Sequence, residues 1–298
     1  MLKHCLLSCI FVLAVASVRA SPTPEEALQL YPGTAPGSEH WQRTETVALR
    51  DDGTQVYFNV RSPEVQVYLP PLQRVNGTAA VMLPGGGLRM LSIGKDTQEI
   101  ITRLNEQGIA VFLLKYRILQ REPDSKTSVA NNGPIKWPKL DIRNANANPS
   151  PNAEALNTVL KLAVADTQET FKLIRRNAHK WRVNPERIGI IGRSAGGGVA
   201  LATYMANQMN ARPAFIVSDY GPSLVDIRVS ADAPPLFIAT ETYHGPVTDG
   251  LLQLAQLWRE AERPVELHMY SVPSFEMPPT FWLDRLIQWL GEQGLVDS

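Results

Sequence analysis

Residues Gly192-Arg193-Ser194-Ala195-Gly196 place a hydroxyl between two glycines, after the apolar run "RIGII" and before "AGGGVALATYM". A serine hydroxyl is a weak nucleophile until its surroundings activate it. A sharp turn from a buried strand into a helix holds such an oxygen out above a sheet edge. Glycines two residues to either side let strand and helix crowd together without Cβ clashes. The helix opening behind Ser194 adds unpaired N–H groups and the positive end of its dipole. A second stretch, "LPGGGLRM" (Leu83 to Met90), follows another apolar run. The backbone N–H groups of Gly86 and Gly87, with that of Ala195, are the expected donors for the oxyanion of a tetrahedral intermediate. Together the two stretches point to acyl transfer through Ser194. The glycine loop lacks both the GxGxxG spacing and the Lys-Ser/Thr of a phosphate cradle, which argues against a nucleotide.

Such a serine needs a base, and the base needs an orienting acid. Beyond the first twenty residues the histidines are His40, His179, His244 and His268. His40 lies in a Pro/Gly-rich lead. His179, in "RRNAHKW", ends a helical pattern, where capping is its expected role. His268 alternates with Leu267 and Met269 and reads as a sheet histidine. His244 is on a loop after a strand, at the carboxyl edge where sites of open parallel sheets assemble. It is the candidate base. Asp219 ends the strand "AFIVSD", one strand–helix step after the elbow, and is the candidate acid. The plainer readings stay open: a solvent-facing loop for His244, and a turn cap at "DYGP" for Asp219. No His/Asp/Glu set shows metal-ligand spacing, so no metal and no cofactor are expected.

The elements that must position these groups alternate in type. Extended runs are "TETVAL" (Thr44–Leu49), "EVQVYLP" (Glu64–Pro70), "AAVMLP" (Ala79–Pro84) and "IAVFLLKY" (Ile109–Tyr116). After Tyr116 a polar, Asn/Pro-rich insertion runs to Asn157. Its length fits a flap over the site. A long amphipathic helix is expected over Thr158–Trp181, then the strand "RIGIIG", the elbow helix, the strands "AFIVSDY" and "PPLFIAT", a helix, the strand "VELHMY" and a closing helix. Repeated strand–helix units give a single α/β domain, with a mainly parallel central sheet, helices on both faces and an antiparallel N-terminal edge.

The first twenty residues begin with Lys3, continue through the apolar run Leu6–Val15 and close on Ala20, as a secretory signal peptide does. Residues 21–43 then read as an extended lead and 44–298 as the domain, with 116–157 as its insertion. Both cysteines, Cys5 and Cys9, fall inside the signal. Disulfides and thiolate catalysis are therefore not expected after cleavage, which suits a bacterial periplasm or exterior. Lys plus Arg equals Asp plus Glu at 29 each, and no basic run is present. Nucleic acid is therefore not an expected partner, and beyond the signal no stretch is expected to enter a membrane.

"VYLPP", "NGTAAVMLPGGG", "LNEQGIAVFLLKYR" and "NPERIGIIGRSAGG" resemble the α/β-hydrolase superfamily, closest to secreted bacterial acetyl-xylan-esterase-like and dienelactone-hydrolase-like proteins. The resemblance spans Glu64 to Leu290. It implies an α/β-hydrolase domain that hydrolyses esters, with acyl groups on carbohydrate, or a similar small ester, as the substrate class. It also exposes departures. That branch carries its acid in a stretch like "HGxxDxxV"; here the matching "TETYHGPV" puts His244 at the aspartate position. Its base sits in a "GGHGF"-like loop; here "VPSFEM" puts Phe275 there, expected over the elbow and partly buried. A histidine common just past the elbow is Gly198 here. Two readings follow: an exported serine ester hydrolase of low or altered efficiency, or a pseudo-hydrolase that binds a ligand, or serves as a scaffold, without cutting.

Overall fold

The computed structural model describes residues 22–121, 140–143, 146–149 and 154–296. The expected signal segment and most of the expected flap lie outside them. The strands are β1 (Glu26–Gln29), β2 (Thr46–Leu49), β3 (Gln55–Phe58), β4 (Glu64–Tyr68), β5 (Ala79–Leu83), β6 (Leu91–Ile93), β7 (Ala110–Lys115), β8 (Leu140–Arg143), β9 (Asn146–Pro149), β10 (Ile188–Arg193), β11 (Ile216–Asp219), β12 (Leu236–Glu241) and β13 (Val265–Tyr270). The helices are α1 (Lys95–Glu106), α2 (Glu154–Arg176), α3 (Ala178–Trp181), α4 (Ala195–Met205), α5 (Pro246–Glu260) and α6 (Leu283–Glu292).

Eight strands form the main sheet in the order β1-β4-β7-β5-β10-β11-β12-β13. The β1–β4 and β4–β7 pairs are antiparallel, and every pair from β7 to β13 is parallel. β5, β11 and β12 are buried along their whole length. Continuous apolar runs are what a sheet covered on both faces requires. Alternate residues feed two cores. Val81, Leu83, Ile190 and Ile238 pack with α2, α4 and α5, through residues such as Leu160, Val199, Leu251 and Trp258. Ala80, Met82, Ile191 and Phe237 pack with α1 and α6, through Ile100, Leu104, Leu286 and Trp289. The strand period of two thus sends successive side chains to opposite helical layers. Every residue of α4 but Met205 is buried, which explains its lack of a polar face.

Four segments differ from the sequence reading. The extended lead contains β1, which pairs antiparallel with β4 and forms the sheet's edge. Its four residues alternate half-buried and exposed, and so short a run inside a Pro/Gly-rich lead carries little strand signal of its own. β2 does not join that edge; with β3 and β6 it makes a separate three-stranded antiparallel sheet. The insertion is expected from Tyr116, yet Tyr116, Arg117 and Ile118 are core residues. Tyr116 donates its hydroxyl to the Pro84 carbonyl at 2.6 Å, and Arg117 pairs with Asp166 of α2. The long helix also breaks at Asn177, so α3 is a separate turn.

Candidate active site

The parallel registers bring the carboxyl ends of five strands together. Gly192 pairs with Leu83, Arg193 with Asp219, Asp219 with Ala239, and Glu241 with Tyr270. Ser194 stands just past β10, at φ 51 and ψ −126, in a region that a side chain rarely occupies. The surrounding backbone holds it there. Its N–H donates to the Asp219 carbonyl at 2.8 Å, and its own carbonyl accepts from Gly197 at 2.8 Å. A Cβ at Gly196 would lie 2.1 Å from the Leu83 carbonyl oxygen, so only glycine lets α4 pass this close to the end of β5.

The glycine loop lies against the elbow. A Cβ at Gly85 would come within 3.0 Å of the Ser194 Cβ and 3.1 Å of the Arg193 carbonyl. Gly86 (φ 139), Gly87 (φ 64) and Leu88 (φ 60) follow in left-handed conformations. The turn closes through Arg89 and Met90, whose N–H groups both donate to the Gly86 carbonyl. Ala195 opens α4, so its N–H has no acceptor within the helix.

His244 and Asp219 are not partners. The His244 Nδ1 lies 2.8 Å from Glu241 Oε2, and Glu241 is fully buried at the end of β12. The N–H of Phe275 donates to the other Glu241 oxygen at 3.0 Å. The His244 ring lies 5.6 Å from that of Tyr220 and meets Phe275 edge-on at 4.6 Å. Asp219 instead faces Arg193, whose Nε stands 3.4 Å from Asp219 Oδ2. Both Asp219 oxygens are buried without a hydrogen-bond donor. Burial pushes its carboxyl up to about 7, against the opposing pull of Arg193. Arg193 also bonds the Tyr220 hydroxyl at 2.8 Å and pairs with Asp96 at 2.6 Å. The carboxylate beside His244 is therefore Glu241 and not the expected Asp219, because the side chain at the end of β11 turns to the arginine beside it. The available signal for Glu241 was a charged residue ending a largely apolar strand, three positions before His244.

Phe275 is 46% exposed, less covered than its expected place over the elbow implied. Its main chain, at φ 69, reaches Glu241, and its ring packs against His244. Among the described residues no hydrogen bond reaches the Ser194 hydroxyl. The remaining histidines stand apart: His179 is in α3, and His268 lies on β13 with Glu266 and the Phe237 ring. Gly198 fills the position of a further histidine, and a Cβ there would lie 2.5 Å from the Leu224 side chain. Among the described residues no cluster of His, Cys, Asp or Glu could hold a metal ion, and no helix is long and apolar enough to cross a membrane.

A family model described as alpha/beta hydrolase fold matches residues 154–232. An acetylxylan esterase of Xylanibacter ruminicola is 27% identical over 202 residues, which are 67% of this chain and 32% of that protein. The chain thus spans about a third of that relative's length. Among solved structures, an acetyl ester-xyloside bifunctional hydrolase from Caldicellulosiruptor lactoaceticus superposes with a TM-score of 0.60 at 16% identity, covering 92% of this chain and 98% of that one. Thermogutta terrifontis esterase 2, in its form phosphorylated by paraoxon, gives a TM-score of 0.57 at 16% identity over 90% of this chain and 98% of that one. The chain has the alpha/beta hydrolase fold, and its sequence is similar to the acetylxylan esterase branch.

Proposed function

We propose that this chain is an exported serine hydrolase acting on carboxylic esters, with acyl groups on carbohydrate or a similar small ester as its substrates. The observation that carries the proposal is Ser194 on a strained strand-to-helix turn with the Gly85–Gly87 loop packed against it. In the proposed reaction the Ser194 oxygen bonds to the acyl carbon as its proton passes to His244 Nε2. The carbonyl electron pair moves onto the ester oxygen, where the N–H groups of Ala195, Gly86 and Gly87 hold it. The pair returns, the carbon–alkoxy bond breaks, and the leaving oxygen takes the proton from His244. Water then repeats the sequence on the acyl-serine and releases the carboxylic acid. The carbohydrate-ester class is supported by the similarity to an acetylxylan esterase, and export by the apolar leader.

The absence of a hydrogen bond on the Ser194 hydroxyl among the described residues, with Phe275 at the usual base position, favours a second reading: a non-catalytic ligand-binding or scaffold protein. Labelling with a fluorophosphonate probe separates the two. Under the proposal the wild type labels and hydrolyses p-nitrophenyl acetate, Ser194→Ala does not label, and its turnover falls on the order of 10⁶-fold. A wild type that neither labels nor hydrolyses supports the binding protein.

A further inference from the structure

We infer that Glu241 is the positioning carboxylate of the catalytic histidine, and that the loop which carries the base in similar proteins has become the clamp on this acid. The inference rests on the ester-hydrolase reading above and deepens it. Glu241 ends β12, with its backbone fixed on two sides: its carbonyl accepts the Thr248 hydroxyl at 2.6 Å, and the next residue's N–H donates to the Tyr270 carbonyl at 2.8 Å. Its side chain is 0% exposed, yet both oxygens have a partner, His244 Nδ1 on one and the Phe275 N–H on the other. Donors of this kind replace the water that a buried carboxylate gives up. Asp219, equally buried, has no such donors.

The contact with Glu241 selects the histidine's tautomer. With Nδ1–H donated to the carboxylate, the lone pair is left on Nε2, the atom that must accept the serine proton. Tyr220 and Phe275 bound the ring. The elbow adjoins Tyr220 directly, because the Asp219 carbonyl takes the Ser194 N–H and a Cβ at Gly221 would lie 2.7 Å from the Ser194 carbonyl oxygen. The second loop is tied to the first twice. Ser274 Oγ donates to the Tyr243 carbonyl at 2.8 Å, and the left-handed φ of Phe275 turns its N–H onto Glu241. The role of the Phe275 loop is thus carried by its backbone, so it needs no histidine. During turnover Glu241 keeps its charge and faces the imidazolium that forms when His244 takes the serine proton. No proton moves onto the carboxylate.

Glu241→Gln tests this, because the amide keeps the volume and an oxygen for the Phe275 N–H but turns an NH₂ group toward His244. That change favours the tautomer with Nε2 protonated, which cannot act as base. The expected result with p-nitrophenyl acetate is a kcat lower by roughly 10³–10⁴-fold with little change in KM. Glu241→Asp, which restores a carboxylate, is expected to retain more kcat than Glu241→Gln. A merely space-filling role would give the reverse order, since Gln is the isostere. Asp219→Asn is expected to lower kcat less than Glu241→Gln. A Glu241→Gln kcat within tenfold of wild type overturns the inference, as does an Asp219→Asn variant that is the more damaged. Both outcomes leave the ester-hydrolase reading standing if the wild type still labels at Ser194. A wild type that does not label overturns both.

Discussion

Arg193, one residue before Ser194, reaches Asp96, Tyr220 and Asp219, and it decides what Asp219 can do. The Asp219 carboxyl is wholly buried without a hydrogen bond, and Glu241 and Asp96 add like charge nearby. Its proton is therefore held up to about 7 in the folded protein, against an ordinary 3.8. Between those values the folded chain binds the proton more tightly than the unfolded chain does. This residue's contribution to stability is therefore full below pH about 4 and is lost as pH rises to about 7. Asp219→Asn, which does not titrate, should lack that decline. Urea unfolding of both proteins across this window checks it: the stability of wild type relative to the variant should fall with rising pH. A difference that grows with pH would mean that the ion pair with Arg193 outweighs burial.

At the scale of elements, the proposed triad exchanges the duties of the ends of β12 and β13 and the loops after them. His244 stands on the loop that normally carries the acid, and the β13 loop supplies a main-chain donor. A new imidazole at position 275 would arrive without a carboxylate, since Glu241 already holds His244 and the Phe275 N–H. Its side chain would also start from a position 46% exposed, at φ 69. Phe275→His alone is therefore expected to leave kcat on p-nitrophenyl acetate within about threefold of wild type, because a base without its orienting acid is ineffective. A gain of an order of magnitude would show that the old base position is still served by a free acid.

For the molecule as a whole, one buried ion pair joins distant pieces. Arg117 follows β7, and its guanidinium bonds Asp166 of α2 at 2.7 Å and also reaches the Pro36 carbonyl and Ser38 of the lead. Tyr31 donates its hydroxyl to the same aspartate at 3.0 Å. Burial works to keep the Asp166 carboxyl protonated, and Arg117 opposes it. Asp166→Ala would strand a guanidinium that is 1% exposed. The expected cost is about 3–5 kcal/mol in urea unfolding, the range for breaking a buried pair by removing one partner. A loss below about 1 kcal/mol, typical of exposed pairs, would mean that water replaces the aspartate.

The strand–helix alternation, the elbow glycines, the glycine loop and the buried parallel sheet were all legible in the sequence. Each rests on local periodicity or on turn chemistry that neighbouring residues impose. Residues such as Ile188–Arg193 and Ala79–Leu83 can hardly be anything but buried strands. The partner of His244 was not legible in the same way, although Glu241 is only three positions away, because Asp219 is equally well placed along the chain. Choosing between them depends on which carboxylate turns to Arg193 and which to the imidazole, and on a backbone N–H supplied from Phe275. The short β1 was hidden for a related reason: a four-residue segment becomes a strand only when β4 offers it an edge. What the tertiary structure alone decided were hydrogen bonds made across strand ends, because these depend on register and loop conformation set by residues far apart in the chain.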